Sequence, residues 1–206
     1  MKIITISREF GSGGRELGKR LADILGFDYY DREIITSIAE KKGLDENYVE
    51  NALEKSIWQT IPLTYRHSFD VPALIHAPHT ELLSEQTRII EEIAKNGKDC
   101  IIVGRNADFL LKEYKPFNIF VCADLEAKVK RCMERAENEE LSEKKMIQKI
   151  HQIDKNRAKT RDMISHSKWG HRATYHLIVN TTDWVIKDLA PAVANFATEW
   201  FDKADK

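Results

Sequence analysis

A chain of 206 residues, 42% hydrophobic and 32% charged, can bury one substantial core with a small mobile lobe, so one domain spanning 1–206 is expected. Its formal net charge of -1 excludes whole-protein attraction to nucleic acid or to an acidic membrane, and any phosphate recognition has to come from local arginines. No run has the apolar length of a membrane span, a strand begins directly after Met1-Lys2 without a signal peptide, and the three cysteines lack C-x-x-C spacing; a soluble cytoplasmic protein with buried thiols is expected.

In chain order, Ile3 to Ser7 is a β-branched strand, and Arg15 to Leu25 is an amphipathic helix closed by Gly26. Asp28 and Asp31 flank Tyr29-Tyr30 near a strand end, and Asp31 is placed to cap a second helix running to about Lys42 before Gly43. Asp45 starts a short helix to Lys55. Ser56 to Pro78, with three prolines and no sustained period, reads as a loop or loosely helical insert. Thr80 opens a long helix to Lys95, and Gly97 closes it. Cys100 to Val103 is a buried strand, and Asn118 to Cys122 is another. Asp124 caps the helix that follows, and Ser142 caps a charged helix to about Ile164. Tyr175 to Asn180 is a further strand, and Asp183 to Asp202 a closing helix. Strands separated by helices predict an α/β fold, a parallel sheet with helices on both faces and ligands at the carboxyl ends of its strands.

The strand-to-helix turn Arg8-Glu9-Phe10-Gly11-Ser12-Gly13-Gly14-Arg15-Glu16-Leu17 is the most informative stretch. Three glycines within four residues let backbone N–H groups turn inward as an anion nest, and the next helix adds its positive N-terminus. The register approaches the nucleotide-binding pattern G-x-x-x-x-G-K-[ST]. Gly14-Arg15 falls on the Gly-Lys pair and Glu9 replaces the first glycine, while Glu16 and then Leu17 stand where a hydroxyl would reach Mg²⁺. A dinucleotide fingerprint fits less well, since Glu16 occupies its third glycine.

Two further groups point to phosphate chemistry. Ile101-Ile102-Val103-Gly104-Arg105 delivers a five-donor guanidinium to the same sheet edge as the glycine loop. In Asp154-Lys155-Asn156-Arg157-Ala158-Lys159-Thr160-Arg161, Arg157 and Arg161 share a helix face, with Asp154 one turn before Arg157. Two such arginines could neutralise transferring phosphates, or the run could be a solvated helix face whose single arginines matter little to stability. His76, His79, His166, His171 and His176 form no recognised metal spacing, so no metal site of protein ligands is expected.

Taken together, Ile6 to Leu17, Phe27-Asp28-Tyr29-Tyr30-Asp31, Ile102 to Asp108, Asp154 to Ala158, Lys168-Trp169-Gly170 and Tyr175 to Thr181 make the chain similar to the cytidylate kinase-like family over nearly its whole length. The resemblance implies a three-layer P-loop nucleoside kinase fold, with an acceptor-binding insert at about 31–80 and a helical lid at about 138–172. It also implies transfer of the γ-phosphoryl of ATP, with Mg²⁺, to a nucleoside monophosphate, CMP or another pyrimidine first. Gly11, Ser12, Gly13, Gly14, Arg15 and Glu16 would cradle the donor; Asp31, Arg105, Asn106 and Asp154 would serve the acceptor; Arg15, Arg157 and Arg161 would act on the transferring group. Bacterial cytidylate kinases carry Gly-Arg-Asp where this chain has Gly104-Arg105-Asn106, and a loop Lys and hydroxyl where it has Arg15 and Glu16-Leu17. Ser7 or Ser12 is the substitute hydroxyl to consider. The alternative is a nucleotide-binding regulatory protein with weakened catalysis.

Overall fold

Alternation along β1 (Ile3–Arg8) decides the layers: Ile4 and Ile6 enter one core and Ile3 the other. β3 (Cys100–Val103) repeats the pattern, sending Ile101 and Val103 to the first core and Cys100 and Ile102 to the second. The computed structural model describes residues 1–46, 49, 53, 73–135, 142–165 and 167–204. With β2 (Asp28–Tyr30), β4 (Phe117–Cys122) and β5 (Leu177–Asn180), the strands form a five-stranded parallel sheet in the order β2-β3-β1-β4-β5. Near-continuous apolar runs are what strands covered on both faces require.

On one face α1 (Gly14–Leu25) and α7 (Ile186–Ala204) supply Leu17, Leu21, Ala190 and Val193. On the other, α2 (Glu33–Lys42) and α3 (Ala73–Lys95) supply Ile34, Ile38, Leu82 and Ile90. The result is the expected three-layer α/β fold. α4 (Ala107–Leu110) is a single turn after β3, while α5 (Leu125–Arg135) and α6 (Glu143–Ile164) make a third cluster from Val129, Cys132, Met146 and Ile150, against which Phe10 packs. Among the described residues no helix is long and apolar enough to cross a membrane. All three cysteines are free, and burial pushes the Cys100 thiol up to about 12.

Several boundaries differ from the sequence reading. α3 starts at Ala73 rather than Thr80, with Pro78 inside its second turn, where the ring removes one backbone bond without ending the helix. α7 starts at Ile186 rather than Asp183, because Trp184 N–H turns back to the Thr181 carbonyl at 3.2 Å. Of the short helix expected from Asp45 to Lys55, Asp45, Glu46, Val49 and Leu53 are described, and the last three are helical. Residues 56–72 of the segment read as a loop or loosely helical insert, and the start of the expected lid, 138–141, lie outside the described residues.

β1 is the central strand and the point where the sheet order reverses, with β3 on one side and β4 on the other. The crevice at the carboxyl end of such a strand is the ligand position of open parallel sheets. The glycine loop emerges there.

Candidate active site

Backbone pairing sets the loop. Glu9 N–H donates to the Val121 carbonyl at 2.9 Å, Ser12 Oγ donates to the Glu9 carbonyl at 2.8 Å, and Thr181 Oγ1 donates to the Ser12 carbonyl at 2.7 Å. The chain then enters α1, where Leu17 N–H bonds the Gly13 carbonyl at 2.9 Å. Gly11 has φ 78°, and a Cβ there would stand 2.8 Å from Cys132 Sγ, so both conformation and space exclude a side chain. Glu9, at the first-glycine position, is not among the residues with positive φ. A side chain is therefore tolerated, and its carboxylate points away to Ala123 N–H at 3.3 Å and Lys128 Nζ at 3.0 Å.

Arg15 does not fold back over the loop. Its Nε pairs with Asp31 Oδ2, its Nη2 lies 3.5 Å from Asp31 Oδ1, and its side chain is 53% exposed. Asp31 consequently does not cap α2: Arg32 holds the N-cap position with no side-chain cap, and the buried Asp31 carboxylate serves Arg15 and, at 3.8 Å, Arg8. A carboxylate just before a helix can cap it or pair with a cation, and two arginines across the sheet edge decide the choice. Glu16 is tied to Arg20 and Arg135, each at 3.0 Å.

β3 ends beside β1, with Gly104 N–H on the Ile6 carbonyl at 2.9 Å, and then makes an uncommon turn. Gly104, Arg105 and Asn106 have φ of 77°, 56° and 55°, three consecutive left-handed residues. The conformation is costly for arginine and milder for asparagine, and such strain gathers at functional sites. Gly104 is favoured by its left-handed φ, and a Cβ there would have to displace the Arg8 guanidinium, whose Nη1 would lie 1.5 Å away. Arg105, as the sequence placed it, reaches the edge that carries the glycine loop.

Ser7, Arg8, Gln86, Arg105, Asn106 and Arg157 line a cleft at this edge, and among the described residues no carboxylate lines it. Arg8 is enclosed. Burial first, then the charge of Arg157, pull its guanidinium down to about 9, with Arg105 and Arg15 adding to the repulsion and Asp31 opposing it. In the sequence Arg8 stands out only as part of the loop motif, although a charged residue closing a β-branched strand ahead of a glycine cluster is an available signal. Gln86, whose Nε2 donates to the Arg105 carbonyl at 3.5 Å, carried no signal within its helix.

Arg157 and Arg161 share one face of α6 but not one task. Arg157 lines the cleft, donates from Nη1 to the Arg8 carbonyl at 3.1 Å and lies 3.8 Å from Asp154 Oδ1. Arg161 is 2% exposed and forks onto Asp108, with Nη1 to Oδ1 at 2.9 Å and Nη2 to Oδ2 at 2.7 Å, while its Nε donates to Ser167 Oγ at 3.0 Å. Of the two expectations for this run, an arginine pair acting on transferring phosphates or a solvated helix face, neither describes the surroundings of Arg161 in this structure: one turn farther along α6, the face meets α4 and its Asp108 instead of the cleft. Asp154 receives Phe10 N–H at 2.7 Å, and so ties α6 to the glycine loop.

Among the described residues no group of three or more His, Cys, Asp or Glu is placed to hold a metal. Leu17 is buried in the apolar core and Glu16 is engaged by two arginines, whereas Ser12 Oγ donates its proton to a carbonyl and keeps its lone pairs, and Ser7 lines the cleft, so these two hydroxyls are what the loop offers a Mg²⁺. Of the histidines, His176 stacks on Phe117 at 5.8 Å and His171 caps a short turn, while His166 and the side chains of His76 and His79 lie outside the described residues.

A loop on the central strand, a left-handed turn bearing Arg105 and a helix bearing Arg157 form a constellation that can be compared with known proteins. The model of the cytidylate kinase-like family matches residues 3–183. The chain belongs to the cytidylate kinase-like family. No curated protein matches it. Among solved structures, an uncharacterized protein from Eubacterium ventriosum is similar at TM-score 0.70 and 22% identity, with 96% of this chain and 99% of that one covered. Shikimate kinase from Acinetobacter baumannii, in complex with shikimate, is similar at TM-score 0.54 and 16% identity over 97% and 94% of the two chains. TT1252 from Thermus thermophilus follows at TM-score 0.54 and 18% identity over 96% and 97%. These likenesses show the fold, an α/β fold shared with shikimate kinase, and the family model shows a chain of a kinase-like family.

Proposed function

We propose that this cytoplasmic chain transfers the γ-phosphoryl group of ATP, arriving with its own Mg²⁺, to a nucleoside monophosphate, with CMP and other pyrimidine monophosphates as first choice. The observation that carries the reading is the cleft in which Arg8, Arg105 and Arg157 meet beside the glycine loop. A phosphate dianion is the counter-charge such a cluster binds most strongly. The backbone of Gly11 to Glu16 cradles the donor phosphates, with Arg15 at their outer side. Arg105 and Arg8 take the acceptor phosphate, and Asp31 orients Arg8. Asn106 contributes to base preference through its amide, and Arg157, steadied by Asp154, neutralises charge on the transferring group. Within one domain of 1–206, the region of about 31–80 receives the acceptor and that of about 138–172 closes over it.

A thermal-shift panel of ATP, GTP, CMP, UMP, AMP and NAD(H), followed by a coupled ADP-release assay with each bound acceptor, tests the reading. ATP stabilisation with CMP- or UMP-dependent ADP release supports it, and release with a purine monophosphate or a non-nucleotide alone refutes the pyrimidine assignment. Buried Leu17 and the commitment of Arg15 to Asp31 favour one second reading, a nucleotide-binding regulator without turnover. ATP stabilisation without ADP release from any acceptor selects it.

A further inference from the structure

Lys128, on α5, is buried, and its Nζ lies 3.0 Å from Glu9 Oε2 and 3.5 Å from Asp154 Oδ2. Each carboxylate carries the contact onward. Glu9 Oε2 also accepts Ala123 N–H at the end of β4 at 3.3 Å, and Asp154 Oδ1 accepts Phe10 N–H from the loop at 2.7 Å. The stem of Lys128 walls the same loop, since a Cβ on Gly11 would lie 3.2 Å from Lys128 Cβ. One ammonium therefore joins the glycine loop, β4, α5 and α6, at a position that no sequence motif marked. A buried ammonium is tolerated only when paired, and two carboxylates this close tolerate each other only with a cation between them.

We infer that Lys128 is a positioning residue of the phosphate loop: it neutralises Glu9 and Asp154 where they flank the anion nest and, through Asp154, sets Arg157 against the cleft. The inference rests on the donor-loop reading above and needs neither turnover nor a particular acceptor. It also accounts for a glutamate at the first-glycine position, which this loop carries as half of an ion pair. The groups facing Asp154 are Phe10 N–H and Glu9 from the loop, Lys128 from α5 and Arg157 from α6, and burial already raises the Asp154 carboxyl above its ordinary range. Without the ammonium, the buried Asp154 carboxyl would lose a counter-charge and hold its proton to higher pH than it does now, so the repulsion it exerts on a bound anion would fade as pH falls.

The test is calorimetry of inorganic tripolyphosphate binding to the wild type, Lys128→Met and Lys128→Arg at pH 8 and pH 5.5, with circular dichroism as the folding control. Each variant is read as a ratio to the wild type at the same pH, which cancels titration of the probe. Lys128→Met should bind about tenfold or more weakly at pH 8 and recover much of that loss at pH 5.5, and Lys128→Arg should stay within about threefold. Equal affinity in Lys128→Met, or an equal loss at both pH values, overturns the inference, the latter marking a merely structural lysine. If Lys128→Met does not fold, Lys128→Gln decides by the same reading: a loss at pH 8 that recovers at pH 5.5 supports the inference, and equal affinity or an equal loss at both pH values overturns it. A wild type that does not bind tripolyphosphate refutes the donor-loop reading together with the inference, whereas a binding wild type with indifferent variants refutes the inference alone.

Discussion

Arg161→Ala separates the two roles that a lid arginine can have. The guanidinium is 2% exposed, and its fork to Asp108, whose side chain is 1% exposed, is closed at 2.9 and 2.7 Å. Removing it leaves a carboxylate buried without its cation, which costs about 3–5 kcal/mol, whereas an exposed pair contributes about 0.5 kcal/mol. Lys95→Ala, breaking a 3.7 Å surface pair with Glu91, is the matched control. Urea denaturation should show a large fall in midpoint for Arg161→Ala at unchanged slope and almost none for Lys95→Ala. The double variant Asp108→Asn/Arg161→Met should recover much of the loss, because no unpaired charge then stays buried. The loss also propagates: Asp108 belongs to α4, which directly follows the left-handed Gly104–Asn106 turn, so the acceptor KM should rise as the turn loosens. A stable Arg161→Ala protein, within about 1 kcal/mol of the wild type but lacking turnover, would refute the structural assignment and return Arg161 to the transferring phosphate.

The remaining variants probe the cleft. Arg105→Ala should raise the acceptor KM about tenfold or more in steady-state kinetics while leaving the KM for ATP unchanged, from the loss of about 1.5–3 kcal/mol of charge-assisted bonding. Arg157→Ala should lower kcat and kcat/KM together by about 10²-fold, and a rise in KM alone would make it a ground-state contact instead. Asn106→Asp keeps a residue tolerant of the left-handed backbone and should raise turnover with CMP relative to the other monophosphates in the ADP-release assay; an unchanged acceptor ranking removes Asn106 from base selection.

Legibility in the sequence followed the range of the interaction. The glycine loop and the buried strands were readable because each is a local pattern: a β-branched run, a cluster of small residues, an amphipathic repeat. Arg105 was readable for a related reason, since a buried strand that stops at Gly104 must deliver the next side chain to the sheet edge. Asp31 was misread as a cap because local sequence shows the helix after it and not the two arginines across the edge. Arg161 was misread because a spacing of four residues establishes a shared face without showing what that face meets, and Asp108 lies 53 positions away. Lys128 was hidden among the charges of α5, where nothing local distinguishes a buried cation from a solvated one.

The division between scaffold and site at this edge is therefore one of charge pairing rather than residue type. Arg161 and Lys128 are held by carboxylates on other elements, Asp108 for the first, Glu9 and Asp154 for the second, and such pairing converts a cation into a fastening between segments. Arg8 is placed differently. It has Asp31 at 3.8 Å, but Arg157, Arg105 and Arg15 crowd it with like charge in a buried setting, and its proton is held less firmly as a result. Like charge crowded around a buried guanidinium is what the phosphate of the proposed reading would relieve. That crowding lies beside the glycine loop, at the carboxyl end of the central strand.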